Sequence, residues 1–172
     1  CQERGGTVTP EQVAGIAGAS IARTCELIAE TGATASPEDP ATAEVFARIS
    51  AQVEAAVRAD PPILPGARSI TSTLSEIGLA QVIVTQSPRP IVEAVAHALG
   101  DVFVDLVTGD DGLPGKPTPA PYAAAIERLG LSPEECVVVE DSATGAASAR
   151  SNNLRVIQVG GKTKHFPGDP GL

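Results

Sequence analysis

Residues 137–149 read Val-Val-Val-Glu-Asp-Ser-Ala-Thr-Gly-Ala-Ala-Ser-Ala, with Cys136 just before them. A short β-branched strand, Cys136 to Val139, ends on two adjacent carboxylates, Glu140 and Asp141, and passes into a helix of small residues marked by Ala146, Ala147 and Ala149. Arg155 to Val159 forms the next strand. Before this stretch the same alternation repeats. Val82-Ile83-Val84-Thr85 reads as a buried strand, followed by a helix carrying Ile91, Val92, Val95 and Leu99 and a strand around Val104 to Thr108. A Gly/Pro/Asp loop from Gly109 to Pro119 then leads to a helix with Tyr122, Ala125, Ile126 and Leu129, and to the capping sequence Ser132-Pro133-Glu134-Glu135. Strands that alternate with helices predict an α/β fold, a Rossmann-like parallel sheet flanked on both faces by helices.

The first third differs. Thr9-Pro10-Glu11-Gln12 is a capping box with Pro at the first helical position, followed by Val13, Ile16 and Ala17. After Gly18, Ile21, Cys25 and Ile28 mark a second helix that Gly32 stops. Val45, Phe46, Ile49, Val53 and Val57 form one long amphipathic stripe, ended by Asp60-Pro61-Pro62. The pattern changes at Pro65, where Ile70, Leu74 and Ile77 mark a helix closed by Gly78. This divides the chain into a small helical unit, 1–64, and an α/β core, 65–172.

Composition narrows the function. Twenty-one acidic against twelve basic residues give a net charge of −9, which repels nucleic acid and anionic membranes. No apolar run is long enough to span a bilayer, and no charged-then-apolar leader is present. Three scattered cysteines, Cys1, Cys25 and Cys136, fit a reduced cytoplasmic protein better than a disulfide framework or zinc cluster. Cys25 lies on an apolar stripe and reads as core. His97 and His165 match no motif and read as surface or packing residues. A monomer is expected.

In open parallel sheets, ligands bind beyond the carboxyl ends of the strands. Thr85, the loop around Lys116, and Glu140-Asp141 all fall there. Adjacent carboxylates at the end of an apolar strand call for a compensating cation, and Mg²⁺ suits them; they equally suit the start of the next helix. Lys116, framed by Gly115 and Pro117, can meet a phosphate dianion as a point charge or can be a solvated loop lysine. The Thr85 hydroxyl and the N–H groups after it, including that of Gln86, can donate to phosphate oxygens. Ser87-Pro88 can also simply cap a helix. Arg23, after Gly18-Ala19-Ser20, can reach a substrate's far end or lie on a solvated face.

Order and spacing together carry a resemblance. Residues 82–88 (Val-Ile-Val-Thr-Gln-Ser-Pro), 115–122 (Gly-Lys-Pro-Thr-Pro-Ala-Pro-Tyr) and 137–149 resemble the second, third and fourth motifs of the haloacid dehalogenase superfamily, in its β-phosphoglucomutase-like branch. Residues 7–62 match the helical cap of that branch in position and character. The resemblance implies a Mg²⁺-dependent phosphatase of a small phosphorylated metabolite, working through an aspartyl-phosphate, or a sugar phosphomutase. It places Thr85 and Gln86 on the transferring phosphoryl group, Lys116 as its neutralising cation, and Glu140 and Asp141 on the metal.

The family's first motif, Asp-x-Asp-Gly-Thr, is not in the sequence. Asp110-Asp111-Gly112 imitates it poorly, since its aspartates are adjacent and precede Lys116. The resemblance also implies a strand order 3-2-1-4-5, in which the strand bearing that motif would lie between 82–85 and 136–139. The chain contains no methionine, even at position 1. These features together lead to the expectation that the polypeptide continues upstream of Cys1 by roughly twenty or more residues, as part of a protein of roughly 220. The segment after Gly160-Gly161 also looks short for the family. The 172 residues alone, without the nucleophile, are expected to be inactive, and a non-catalytic binder of a phosphorylated ligand is the competing reading.

Overall fold

Thr9 and Gln12 close the capping box read from the sequence. Gln12 N donates to Thr9 Oγ1 at 3.3 Å and Thr9 N donates to Gln12 Oε1 at 2.9 Å, satisfying two N–H groups that open a helix. The structure, a computed structural model, describes residues 1–16 and 19–159. Ala17, Gly18, His165 and the segment from Gly160 onward, singled out above, lie outside the described residues.

The first helices are α1 (Pro10–Ile16), α2 (Ile21–Glu30), α3 (Pro40–Ala59) and α4 (Ala67–Glu76). Ser20 Oγ accepts from Arg23 N at 3.1 Å and so caps α2, and Asp39 caps α3 through Ala41 N at 2.9 Å. The alternating part follows as β1 (Val82–Val84), α5 (Arg89–Ala98), β2 (Asp105–Val107), α6 (Ala120–Leu129), a 3-10 turn (Pro133–Glu135), β3 (Val137–Glu140), α7 (Ala143–Arg150) and β4 (Arg155–Gln158). Asn153 (φ 59°) takes the left-handed conformation shortly after α7.

Among the described residues all strand pairing is parallel, as expected, and the strands form two pairs. β1 pairs with β2 in the register Val82 to Asp105, and β3 pairs with β4 in the register Val137 to Arg155. β1 and β3, expected to flank a further strand, are not hydrogen-bonded to each other. They share an apolar cluster instead: Tyr122, Ala149 and Leu154 are buried, with Val84 of β1 and Val138 of β3 packed against them. Helix α6 lies on β1 and β2, α7 on β3 and β4, and the two helices touch. Ala146 and Ala149 are fully buried, so the small residues of α7 allow its close approach to the strands.

The parallel strands are flanked by helices, as expected, and the second pair leaves several apolar side chains exposed. Val137 and Val139 are 55% and 60% exposed and Ile157 is 41% exposed. α7 covers one side of β3 and β4, and among the described residues no helix covers the side these residues occupy. β1, read as buried, is half-buried throughout.

Helix α3 packs on α2 and on α5, and so holds the N-terminal helices over the carboxyl ends of the strands. Its stripe divides by function. Val45 and Val57 are buried, whereas Phe46, Ile49 and Val53 line a cavity. Among the described residues no helix is long and apolar enough to cross a membrane.

Candidate active site

Lys116 joins the ends of the two strand pairs. Its Nζ donates to the Val84 carbonyl at the end of β1 (3.0 Å) and to Glu140 Oε1 at the end of β3 (2.5 Å). Both charged side chains are 7% exposed. The peptide between Lys116 and Pro117 is cis. A buried ion pair is stable only where desolvation is repaid by close geometry and further hydrogen bonds, and Glu140 has these. Its Oε1 also accepts from Tyr122 Oη at 3.1 Å, while Oε2 accepts from Asp141 N, Ser142 N and Ser142 Oγ, each at 2.9 Å.

These contacts set the protonation states. Burial pushes the Glu140 carboxyl up, but the Lys116 and Ser142 hydrogen bonds and the Lys116 charge outweigh it and hold the group at about 2. Burial, then the Glu140 charge, pushes the Tyr122 phenol far upward, so Tyr122 remains a donor. Its ring also lies beneath the ammonium, with Nζ 4.8 Å from the centroid. The sequence reading placed Tyr122 in a helix core and missed this role. Ser142 and Gly145 were missed as well: Ser142 caps α7 through Gly145 N at 3.0 Å, and a side chain at Gly145 would overlap the Glu140 carboxylate.

The remaining residues spread around the same cavity. It holds about 800 Å³ and is lined by Thr85, Gln86, Lys116, Glu140 and Asp141 together with Arg23 from α2. Thr85 N donates to the Val107 carbonyl at 2.9 Å, and Thr85 Oγ1 accepts from Ser87 N at 3.1 Å, which turns the chain beyond β1. Gln86 is wedged against two glycines of the following loop: a Cβ at Gly109 would strike the Gln86 carbonyl, and one at Gly115 its side chain. The site is thus built around its glycines. Arg23 is on the rim, its guanidinium bound to Glu26 at 2.8 Å and Glu30 at 2.7 Å.

The two adjacent carboxylates have different situations. Both oxygens of Glu140 are consumed by the donors named above. Asp141 is exposed on the cavity wall, and its carboxylate takes no hydrogen bond from the described residues. Among the described residues no three His, Cys, Asp or Glu side chains converge as a metal cage. Mg²⁺ needs no such cage, since it binds through one or two carboxylates with waters and phosphate oxygens completing its shell. The donor set therefore fits a hard cation at Asp141, with Glu140 engaged as the counter-ion of Lys116.

The Asp110-Asp111 pair is occupied elsewhere. Asp110 accepts from Arg89 N at 3.1 Å at the start of α5. Asp111, its side chain 8% exposed, accepts from Thr108 Oγ1 (2.6 Å), Arg89 (2.7 Å) and Arg128 (2.8 Å). Burial opposes its charge, but Thr108 and the two guanidiniums hold its carboxyl far below the ordinary range. This is a clamp on the loop leading to Lys116, with both carboxylate oxygens of Asp111 engaged by donors of that clamp. His97 is exposed and meets Asp101 at 2.9 Å, far from this chemistry in role.

The profile of the haloacid dehalogenase-like hydrolases matches residues 8–153. The chain is 34% identical over 127 residues to protein CbbY of Rhodobacter capsulatus, covering 70% of this chain and 56% of that protein. It is 38% identical over 100 residues to hexitol phosphatase A of Escherichia coli, covering 56% and 45%, and 30% identical over 122 residues to phosphoglycolate phosphatase of Rhodospirillum rubrum, covering 70% and 51%. The chain thus spans about half the length of these curated relatives. Among solved structures, CbbY of Rhodobacter sphaeroides in complex with phosphate superimposes with a TM-score of 0.70 at 25% identity, covering 85% of this chain and 70% of that one. β-Phosphoglucomutase of Clostridium difficile gives a TM-score of 0.74 at 20% identity, covering 93% and 73%, a likeness of fold.

Proposed function

The chain belongs to the haloacid dehalogenase-like hydrolases, and on that footing we propose that it carries the phosphate- and metal-binding part of a Mg²⁺-dependent phosphatase for a small phosphorylated metabolite. The observation that carries this reading is the Lys116 bridge, a buried ammonium fixed between the Val84 carbonyl and the Glu140 carboxylate at the wall of the cavity. Its charge balances a phosphate dianion at the ends of β1 and β3. Thr85, whose oxygen accepts from Ser87 N, offers its hydroxyl hydrogen to a phosphate oxygen, and Gln86 closes the same corner. Asp141 would hold Mg²⁺, with Glu140 beside it, and the metal would draw charge from the phosphoryl oxygens.

In this reading Glu140 and Tyr122 are positioning residues. They keep the ammonium from swinging into solvent, which makes its charge available without reorganisation when phosphate arrives. The helical unit 1–64 acts as the cap over the cavity. Phosphoryl transfer through an aspartyl-phosphate needs a carboxylate nucleophile, and Asp111, the centre of the arginine clamp, is not it. We therefore assign the nucleophile to an Asp-x-Asp segment outside the 172 residues.

Phosphate release from phosphomonoesters in magnesium buffer tests this. The chain alone is expected to release none, and a form lengthened ahead of Cys1 by an Asp-x-Asp-Gly-Thr strand is expected to be active. Full activity of that form after Lys116→Ala or Asp141→Ala would overturn the residue assignments. The competing reading is a phosphate binder without turnover; phosphate binding by a lengthened form that stays inactive would select it.

A further inference from the structure

The two walls of the cavity differ in chemistry. The strand-end wall carries Thr85, Lys116 and Asp141. The opposite wall is apolar, built from Ile16, Ile21, Phe46, Ile49 and Val53, with Ser50 among them. Thr24, also on that wall, donates its hydroxyl back to the Ser20 carbonyl at 3.0 Å, so it is committed to its own helix. Arg23 is the cation of this wall among the described residues, and two carboxylates already hold it: Glu26 Oε2 at 2.8 Å and Glu30 Oε1 at 2.7 Å, both on its own helix. One guanidinium against two carboxylates leaves that patch with an excess negative charge.

We propose that the cavity selects phosphomonoesters whose organic part is uncharged and partly apolar, and discriminates against molecules with a second anionic group at the far end. The proposal rests on the reading of Lys116 and Thr85 as the phosphate site and adds the class of the attached group. An ester seated with its phosphate at Lys116 directs its other end toward the apolar wall and Arg23. There a carbon chain buries against Ile49 and Phe46, and a hydroxyl can meet Ser50. A second phosphate would face a net negative patch and would have to displace both glutamates from Arg23 before gaining a counter-ion. A surface pair is weak singly, but both must be lost together, and the displaced carboxylates stay nearby to repel the newcomer.

Calorimetric titration of the 172-residue chain in magnesium buffer tests this with three probes: inorganic phosphate, sorbitol monophosphate and sorbitol bisphosphate. Inorganic phosphate is expected to bind, and the monophosphate to bind about tenfold more tightly than the bisphosphate, a difference of ~1.4 kcal/mol. The double variant Glu26→Gln/Glu30→Gln, altered only on the exposed face of α2, frees Arg23. It should raise bisphosphate affinity about tenfold and leave monophosphate affinity unchanged. Equal or tighter binding of the bisphosphate by the parent, or a double variant with an unaltered ratio, overturns the selectivity while phosphate binding preserves the site. If inorganic phosphate itself does not bind, the phosphate site falls and the selectivity falls with it.

Discussion

Gly145→Ala puts one methyl group where two opposing effects can be weighed. Gly145 lies in the first turn of α7, and alanine in a helix is favoured over glycine by about 1 kcal/mol. Against this, the added Cβ would overlap both oxygens and the carboxyl carbon of Glu140. A clash with the end of a flexible side chain is ordinarily cheap to relieve. Here the carboxylate is pinned by Lys116, Tyr122, Ser142 and the Asp141 and Ser142 amides. If it rotates away, Lys116 loses its counter-ion in a buried position, which costs about 3–5 kcal/mol. If it holds, α7 must retreat from the packing of Ala146 and Ala149, an overpacking cost of about 1–3 kcal/mol. Less the helix gain of about 1 kcal/mol, the net expectation is a loss of up to about 4 kcal/mol in urea unfolding followed by circular dichroism. Gly15→Ala is the control: its Cβ would meet Leu27 at 3.7 Å, an ordinary contact, and the variant should be neutral or gain up to about 1 kcal/mol. In a Glu140→Ala background the penalty of Gly145→Ala should largely vanish. An unfolding midpoint for Gly145→Ala at or above that of the parent would refute the pinned-carboxylate reasoning.

Three further outcomes follow from the same contacts. Glu140 titrates at about 2 in the fold against an ordinary 4.5, so its contribution is complete above about pH 4.5 and is lost as pH falls through 2. It amounts to ~3 kcal/mol at most, and acid-unfolding curves of Glu140→Gln should be flatter in that window. Tyr122→Phe removes the phenol hydrogen bond to Glu140 and keeps the ring, so urea unfolding should show a loss of about 1–2 kcal/mol. Asp111→Ala leaves Arg89 and Arg128 without their shared carboxylate and should destabilise by about 2–4 kcal/mol while the lengthened, active form retains its dependence on Lys116; an unfolding midpoint unchanged from the parent would show that the clamp carries no stability.

Local signals were legible where local rules decide. The Thr9–Gln12 capping box and the Ser132–Glu135 turn need only neighbours in sequence, and both form where they were read. The parallel sense of the strands followed from strand–helix alternation, and the pairing of β1 with β2 and of β3 with β4 agrees with the strand order that the resemblance implied. What could not be read was the partnering of Glu140, because Lys116 lies 24 positions away and only the packing of α6 and α7 on the strand ends brings the two together. The sequence reading therefore gave both carboxylates one role without seeing that their hydrogen bonding differs. Arg23 was different. Glu26 and Glu30 lie three and seven positions on, the spacing of one helix face, and that pattern was available to show an arginine already paired. The stripe of α3 could not be divided from the sequence, because cavity-lining and core residues are both apolar: Phe46, Ile49 and Val53 line the cavity, whereas Val45 and Val57 are buried.

The central claim is that the Lys116–Glu140 pair forms a phosphate site. Its most direct test is calorimetric titration of inorganic phosphate in magnesium buffer into the parent and into Lys116→Met/Glu140→Gln, which removes both charges together and leaves no buried ion unpaired. The parent should bind, and the double variant, folded by circular dichroism, should bind at least about tenfold more weakly, a loss of ~1.4 kcal/mol. A folded double variant with undiminished phosphate affinity would contradict the account.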